Sequence, residues 1–135
     1  MNIHTKTLFL LPTLIAALGL TLTVRVTAQT FTTLHSFTNS PDGANPYAGL
    51  ILSGNTLYGT TQFGGSSGIG IVFAVNTDGT GFTNLYSFIG SSYEANPRAS
   101  LILSGNTLYG TATYGGSSEN GMVFAINTNG MSAAE

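Results

Sequence analysis

Shifted by 51 residues, the chain aligns with itself without a gap, and this constrains its fold more than any other feature. Residues 50–60, LILSGNTLYGT, recur unchanged at 101–111. Phe31, Leu34, Ser36 and Phe37 fall on Phe82, Leu85, Ser87 and Phe88, and Ala44-Asn45-Pro46 falls on Ala95-Asn96-Pro97. Gly64-Gly65-Ser66-Ser67 returns at Gly115-Gly116-Ser117-Ser118, and Val72-Phe73-Ala74 at Val123-Phe124-Ala125. Identity of this extent marks a tandem duplication, with one copy over 31–81 and a second over 82–132 inside a repeat domain of residues 29–135. A unit of this size cannot bury its apolar face alone, so repeats stack on one another.

Within each copy the apolar pattern has the period of strands. Residues 31–37 alternate, with Phe31, Thr33, His35 and Phe37 on one side and Thr32, Leu34 and Ser36 on the other. Residues 48–52 are continuously apolar, as in a strand covered on both faces. Ser53-Gly54-Asn55 then offers a tight reversal into a third strand at about residues 56–61. After a Gly/Ser stretch, read as a flexible connection, residues 71–75 form a fourth strand that ends in Asn76-Thr77-Asp78-Gly79, a type I turn closed by a left-handed glycine. No segment after Ala28 has a helical apolar period. The expected fold is all-β, with two tandem four-stranded antiparallel blades of β-propeller type; a β-solenoid is the runner-up. Tyr58 and Tyr109 are expected to pack between blades. The phase of the repeat makes residues 31–37 the outermost strand of a blade they precede, able to complete the last blade of a ring. Two blades fall short of the roughly four to eight of a propeller, so a longer array, a homo-oligomer pooling blades or a two-blade sandwich is expected.

Charge and leader set the compartment. Residues 1–28 read as an export signal: Lys6, an apolar run, then Val26-Thr27-Ala28 as a cleavage triplet. An uncleaved membrane anchor is the competing reading, disfavoured by Pro12, Gly19 and that triplet. Export places the product outside the cell or at its surface, with the periplasm as the other destination. From Gln29 onward Arg98 is the sole cation against Asp42, Asp78, Glu94, Glu119 and Glu135, a balance that excludes nucleic acid as a partner. The absence of cysteine removes disulfides, thiolate metal sites and cysteine nucleophiles together.

Chemistry is hard to find in this residue set. His35 aligns with Tyr86 in the second copy, and no acid at a fixed spacing orients it as a base, so it reads as an interstrand or surface side chain. Asp42 and Glu94 could approach as a glycosidase pair, but they align with Tyr93 and Gly43 and read as solvated loop acids. Gly64 to Gly68 lacks the lysine and helix start of a phosphate loop, and Asn76 to Gly79 lacks the second carboxylate of a calcium loop. No catalytic residue, metal site or cofactor is expected. The weak candidates for binding are aromatic: Phe63 and Tyr114 before the paired glycines, and Tyr47 and Tyr93 near the Asn-Pro loops. Exposed aromatic faces stack on sugar rings or anchor a protein partner.

The pattern ANP-x-A-x-LILSGNTLYGT, then GGSS, then G-x-V-F-A-[VI]-N-T-x-G and F-T-x-L-x-S-F resembles the GloVer-type tandem repeat, a secreted bacterial repeat of β-propeller-like proteins. The resemblance covers about residues 31–130. Members usually carry more copies and often end in a sorting or anchoring segment, so the resemblance implies a longer array than two repeats. It brings no activity with it. A secreted or surface-associated, non-enzymatic binding or structural module, with a carbohydrate or protein ligand, is the expectation. A fragment or subunit of a carbohydrate-active propeller is the alternative.

Overall fold

The computed structural model describes residues 28–90 and 95–130. The expected export signal therefore lies outside the described residues, Ala28 apart, and so do Tyr93 and Glu94. The chain divides into two units, Met1–Phe31 and Thr32–Glu135. Of the first, residues 28–31 are described and carry no regular structure.

The described part of the second unit is all β, in two antiparallel sheets. Strands β1 (Ile51–Ser53), β2 (Thr56–Thr61), β3 (Ile71–Asn76) and β4 (Thr83–Ser87) form a four-stranded meander in that order. Strands β5 (Ile102–Ser104), β6 (Thr107–Ala112) and β7 (Met122–Asn127) form a three-stranded one. The registers repeat: Ile51 faces Tyr58 as Ile102 faces Tyr109, and Val72 faces Thr60 as Val123 faces Thr111. Two incomplete propeller-like blades are what the duplication builds.

Local chemistry explains the turns. In the β1–β2 hairpin Ser53 pairs with Thr56 around Gly54 and Asn55, and Gly54 at φ 57° takes the first central place of a primed turn. Gly79 N donates to Asn76 O at 2.9 Å and Asn76 N to Thr80 O at 2.9 Å, closing the type I turn between β3 and β4. The repeated LYG and VFA segments are joined by packing. Gly59 sits opposite Phe73 and Gly110 opposite Phe124, and a Cβ on Gly59 would lie 2.7 Å from the Phe73 ring and 2.6 Å from Leu50 Cδ2. The ring lies over the glycine across the strand, so each motif exists to seat the other.

Alternation along β2 and β3 gives the first blade two apolar faces. Tyr58, Val72 and Ala74 face the second blade and join Leu101, Leu108, Ala112 and Ile126 in the main core. Ile71, Phe73 and Val75 face the other way, where Phe37, Leu57 and Phe82 cover them. Tyr58 packs between blades as the sequence implied, whereas Tyr109 has no described blade beyond it and is exposed.

Three expectations are corrected. Residues 31–37 belong to no strand: Phe37 packs on the Phe73 ring, and His35 stacks on Phe82 and bonds Asp42, which holds the segment against the face of the first blade. Their counterparts at 83–87 form β4, the outer strand of the first blade. Residues 48–52 give only the short edge strand Ile51–Ser53, and Leu50 and Leu52 are exposed; an edge strand here has an apolar sequence without cover on both faces. The Gly/Ser connection is ordered rather than flexible. Gly64 N donates to Gly68 O, Gly70 N to Gly64 O and Gly65 N to Asn39 O. A Cβ on Gly64 would stand 2.1 Å from Asn39 O, so the loop is packed against residues 39–43.

Candidate functional site

Four features carry side chains in arrangements that could do something: the loop aromatics, a histidine–aspartate pair, a polar cluster at the blade junction, and two apolar depressions on the second blade.

Phe63 and Tyr114 occupy equivalent points of successive blades. Phe63 N donates to Ala44 O and Tyr114 N to Ala95 O, both at 3.1 Å, and both rings are exposed. Tyr47 is more exposed still. The ring pairs of the described residues involve His35, Phe37, Phe73, Phe82, Tyr86, Phe88 and Phe124, so Tyr47, Phe63 and Tyr114 stand apart from the aromatic core and from one another. Tyr93 lies outside the described residues.

His35 does have an acid, contrary to the sequence reading. Its Nε2 is 3.0 Å from Asp42 Oδ2, and its ring stacks on Phe82 at 3.7 Å between centroids. Asp42 also accepts from Thr38 N at 3.0 Å and from Thr38 Oγ1 at 2.7 Å. The Thr38 hydroxyl, with the Thr38 amide and His35 adding to it against the cost of burial, holds the Asp42 carboxyl below its ordinary value. The pair staples residues 35–42 into a loop that reaches β4 through Asn84 Nδ2, which donates to Pro41 O at 3.0 Å. The sequence reading looked for an acid at a fixed spacing and left Asp42 as a solvated loop acid. A signal was present all the same: both positions depart from the repeat together, as Tyr86 and Tyr93 in the second copy. Glu94, the other half of the glycosidase pair considered, lies outside the described residues.

At the junction between the blades Pro97 is fully buried, its Cδ 3.0 Å from where a Cβ on Gly70 would be. Asn96 N donates to Ile69 O while Thr113 N and Oγ1 donate to Asn96 O, so one Ala-Asn-Pro segment ties both blades. Arg98 Nε donates to Asn96 Oδ1 at 3.3 Å, and with the Gln62 amide reversed its carbonyl accepts from Arg98 Nη2 at 2.7 Å. Arg98, the counterpart of Tyr47, is thereby engaged across the junction. Among the described residues no three histidines, aspartates or glutamates lie together as a metal would require.

The depressions lie on the second blade. One, of about 130 Å³, runs beside β7 and is lined by Tyr86, Phe88, Met122, Phe124, Ala125 and Ile126. The other, of about 200 Å³, lies on the far face and includes Ile102, Tyr109, Thr111 and Val123. Both are overwhelmingly apolar and neither holds an ionisable side chain other than a tyrosine.

Comparison with known proteins adds one finding. The profile of the Gloeobacter/Verrucomicrobia repeat matches residues 16–134. No curated protein and no solved structure matches the chain.

Proposed function

The chain belongs to the Gloeobacter/Verrucomicrobia repeat family, and from that premise we propose that it is an exported, non-enzymatic module that binds through the aromatic-bearing loop ends of its blades. One observation carries this reading: Phe63 and Tyr114 are exposed at the same point of successive repeats, each fixed by the same backbone bond to the Ala-Asn-Pro segment. A pair of aromatic faces held by rigid elements, one per blade, suits a polymer that itself repeats, and a polysaccharide offers apolar sugar faces to stack on them. The polar side chains support a non-catalytic role. Asp42 is spent on Thr38 and His35, and Asp78 on Thr80 N and Oγ1 at 2.9 and 2.7 Å. Export is supported by the Lys6, apolar-run and Ala28 pattern of the leader.

Affinity electrophoresis through gels containing individual polysaccharides, with reducing ends assayed on the same samples, tests the reading. Retardation is expected in at least one gel, with no release of reducing ends. Phe63→Ala with Tyr114→Ala should weaken the retardation about tenfold, since an aromatic contact contributes roughly 0.5–1.5 kcal/mol per ring. Retardation unaltered by the double substitution, or release of reducing ends, would sink it.

A further inference from the structure

The two blades are equivalent in sequence but not in surroundings: Leu50 and Leu52 are exposed on the first where Leu101 and Leu103 are covered, and the opposite face is open on the second. Val72 is fully buried by the second blade, while its counterpart Val123 is 78% exposed. Ile102 is 67% exposed, whereas Ile51 packs against the core. Thr60 is buried and Thr111 exposed; Ile69 is buried and its counterpart Asn120 exposed. The far face of the second blade is thus the same face that the first blade uses to hold the second, left open.

The strand edge tells the same story. β3 is completed by β4, through Ile71 opposite Ser87, Val72 opposite Tyr86, Phe73 opposite Asn84 and Ala74 opposite Thr83. Its counterpart β7 has no described strand on its outer side. Meanwhile residues 32–36, the counterpart of β4, form no strand and join no described sheet. They already lie on the first blade as β4 lies on the second. Gly79 approaches Leu34 O as Gly130 approaches Leu85 O, and Phe37 meets Phe73 edge-on at 5.2 Å as Phe88 meets Phe124 at 5.1 Å.

The aromatic lock is also half made. Phe82, which leads into β4, sits among His35, Phe37 and Phe73. The equivalent seat on the second blade is bounded by Tyr86, Phe88 and Phe124, and that is the 130 Å³ groove beside β7. A cavity of about 150 Å³ lined by such side chains accepts benzene, so the groove has the size of a phenyl ring. The residue of this chain at the corresponding repeat position is Ala133, which has no ring to fill it and lies outside the described residues. The counterpart of Phe82 one repeat earlier is Phe31, 91% exposed.

We propose that the occupant is a second copy of this chain, docked head to tail. Residues 32–36 of the partner add to β7 as the fourth strand of the second blade, with the partner's Phe31 in the groove. The partner's first blade covers Ile102, Tyr109 and Val123. The register follows from that of β3 and β4 moved by one repeat: the partner's Thr32 opposite Ala125, His35 opposite Val123 and Ser36 opposite Met122. Strand addition satisfies an open edge and an apolar face at once, which a flat hydrophobic contact cannot do. The contact is heterologous, so it propagates until it closes. Rings of about four to eight blades close with two to four chains.

This goes beyond the ligand-binding reading and needs no glycan, so its test is independent of that one. Light scattering on the purified full chain after size exclusion should give two to four chain masses. Val123→Glu, which alters a solvent-facing side chain of the single chain, should give one chain mass with an unchanged circular dichroism spectrum. Because the protein has no cysteine, the register is testable by mixing Thr32→Cys with Ala125→Cys chains under mild oxidation. Cross-linked dimer should form at several times the yield of Thr32→Cys mixed with Ile102→Cys. A single-chain mass at all concentrations up to about 100 µM, an assembly that survives Val123→Glu, or equal yields from the two cysteine pairs would each overturn the proposal.

Discussion

At the scale of single residues, the loop between His35 and Asp42 shows how the two copies diverged. Tyrosines stand at both positions in the second repeat; in the first, a charged staple shapes the loop instead. Asp42 is bound by the Thr38 hydroxyl and amide and by His35, interactions that exist only in the folded chain and favour the carboxylate. Its folded pKa therefore lies below the unfolded value of roughly 3.9. The unfolded chain binds the proton more readily, so this contribution is complete above that value and is lost as pH falls through the folded pKa. Melting temperatures of wild type and Asp42→Asn should differ most near pH 5 to 7 and converge as the pH falls through the lowered folded pKa of Asp42. A difference that stays constant across that range would mean that the carboxylate charge contributes nothing. None of this was legible from spacing, since nothing in the sequence says that the loop after residue 37 folds Asp42 back onto His35.

Elements were easier to read where the pattern is local. The β2 and β3 strands, the Gly54 hairpin and the Asn76 to Gly79 turn all follow from apolar alternation and turn chemistry. The loop joining β2 to β3 does not, because glycine and serine are equally the composition of a flexible linker and of a backbone packed against another backbone. Substitution separates the two. Gly54 has a positive φ but open space around it, so Gly54→Ala should cost only the left-handed penalty of about 1–2 kcal/mol. Gly64 combines a φ of 79° with a Cβ position 2.1 Å from Asn39 O and 2.6 Å from Gly43 Cα, backbone atoms that cannot step aside. Gly64→Ala should cost about 3 kcal/mol or more by urea unfolding. Equal costs at the two positions would show the loop to be as loose as its composition implies. Residues 31–37 are the opposite case: a sound strand sequence that pairs with no described strand of its own chain.

For the whole molecule, the repeat determines which surfaces are alike, and burial shows which of them lack a neighbour. Sequence alone could establish the first; it could not establish the second, because Val72 and Val123 are the same residue in the same motif. Hydrogen exchange reads that difference directly. The β3 amides that point toward β4 are bonded within the chain, and their counterparts on β7 face away from every described strand. In dilute solution the outward amides of β7 should exchange at least about tenfold faster than those of β3, since an exposed edge opens at little cost. Raising the concentration should slow the β7 amides and leave those of β3 unchanged, because only β7 gains a strand by association. If both sets slowed together, concentration would be stabilising the fold as a whole, and the open edge would not be where chains meet.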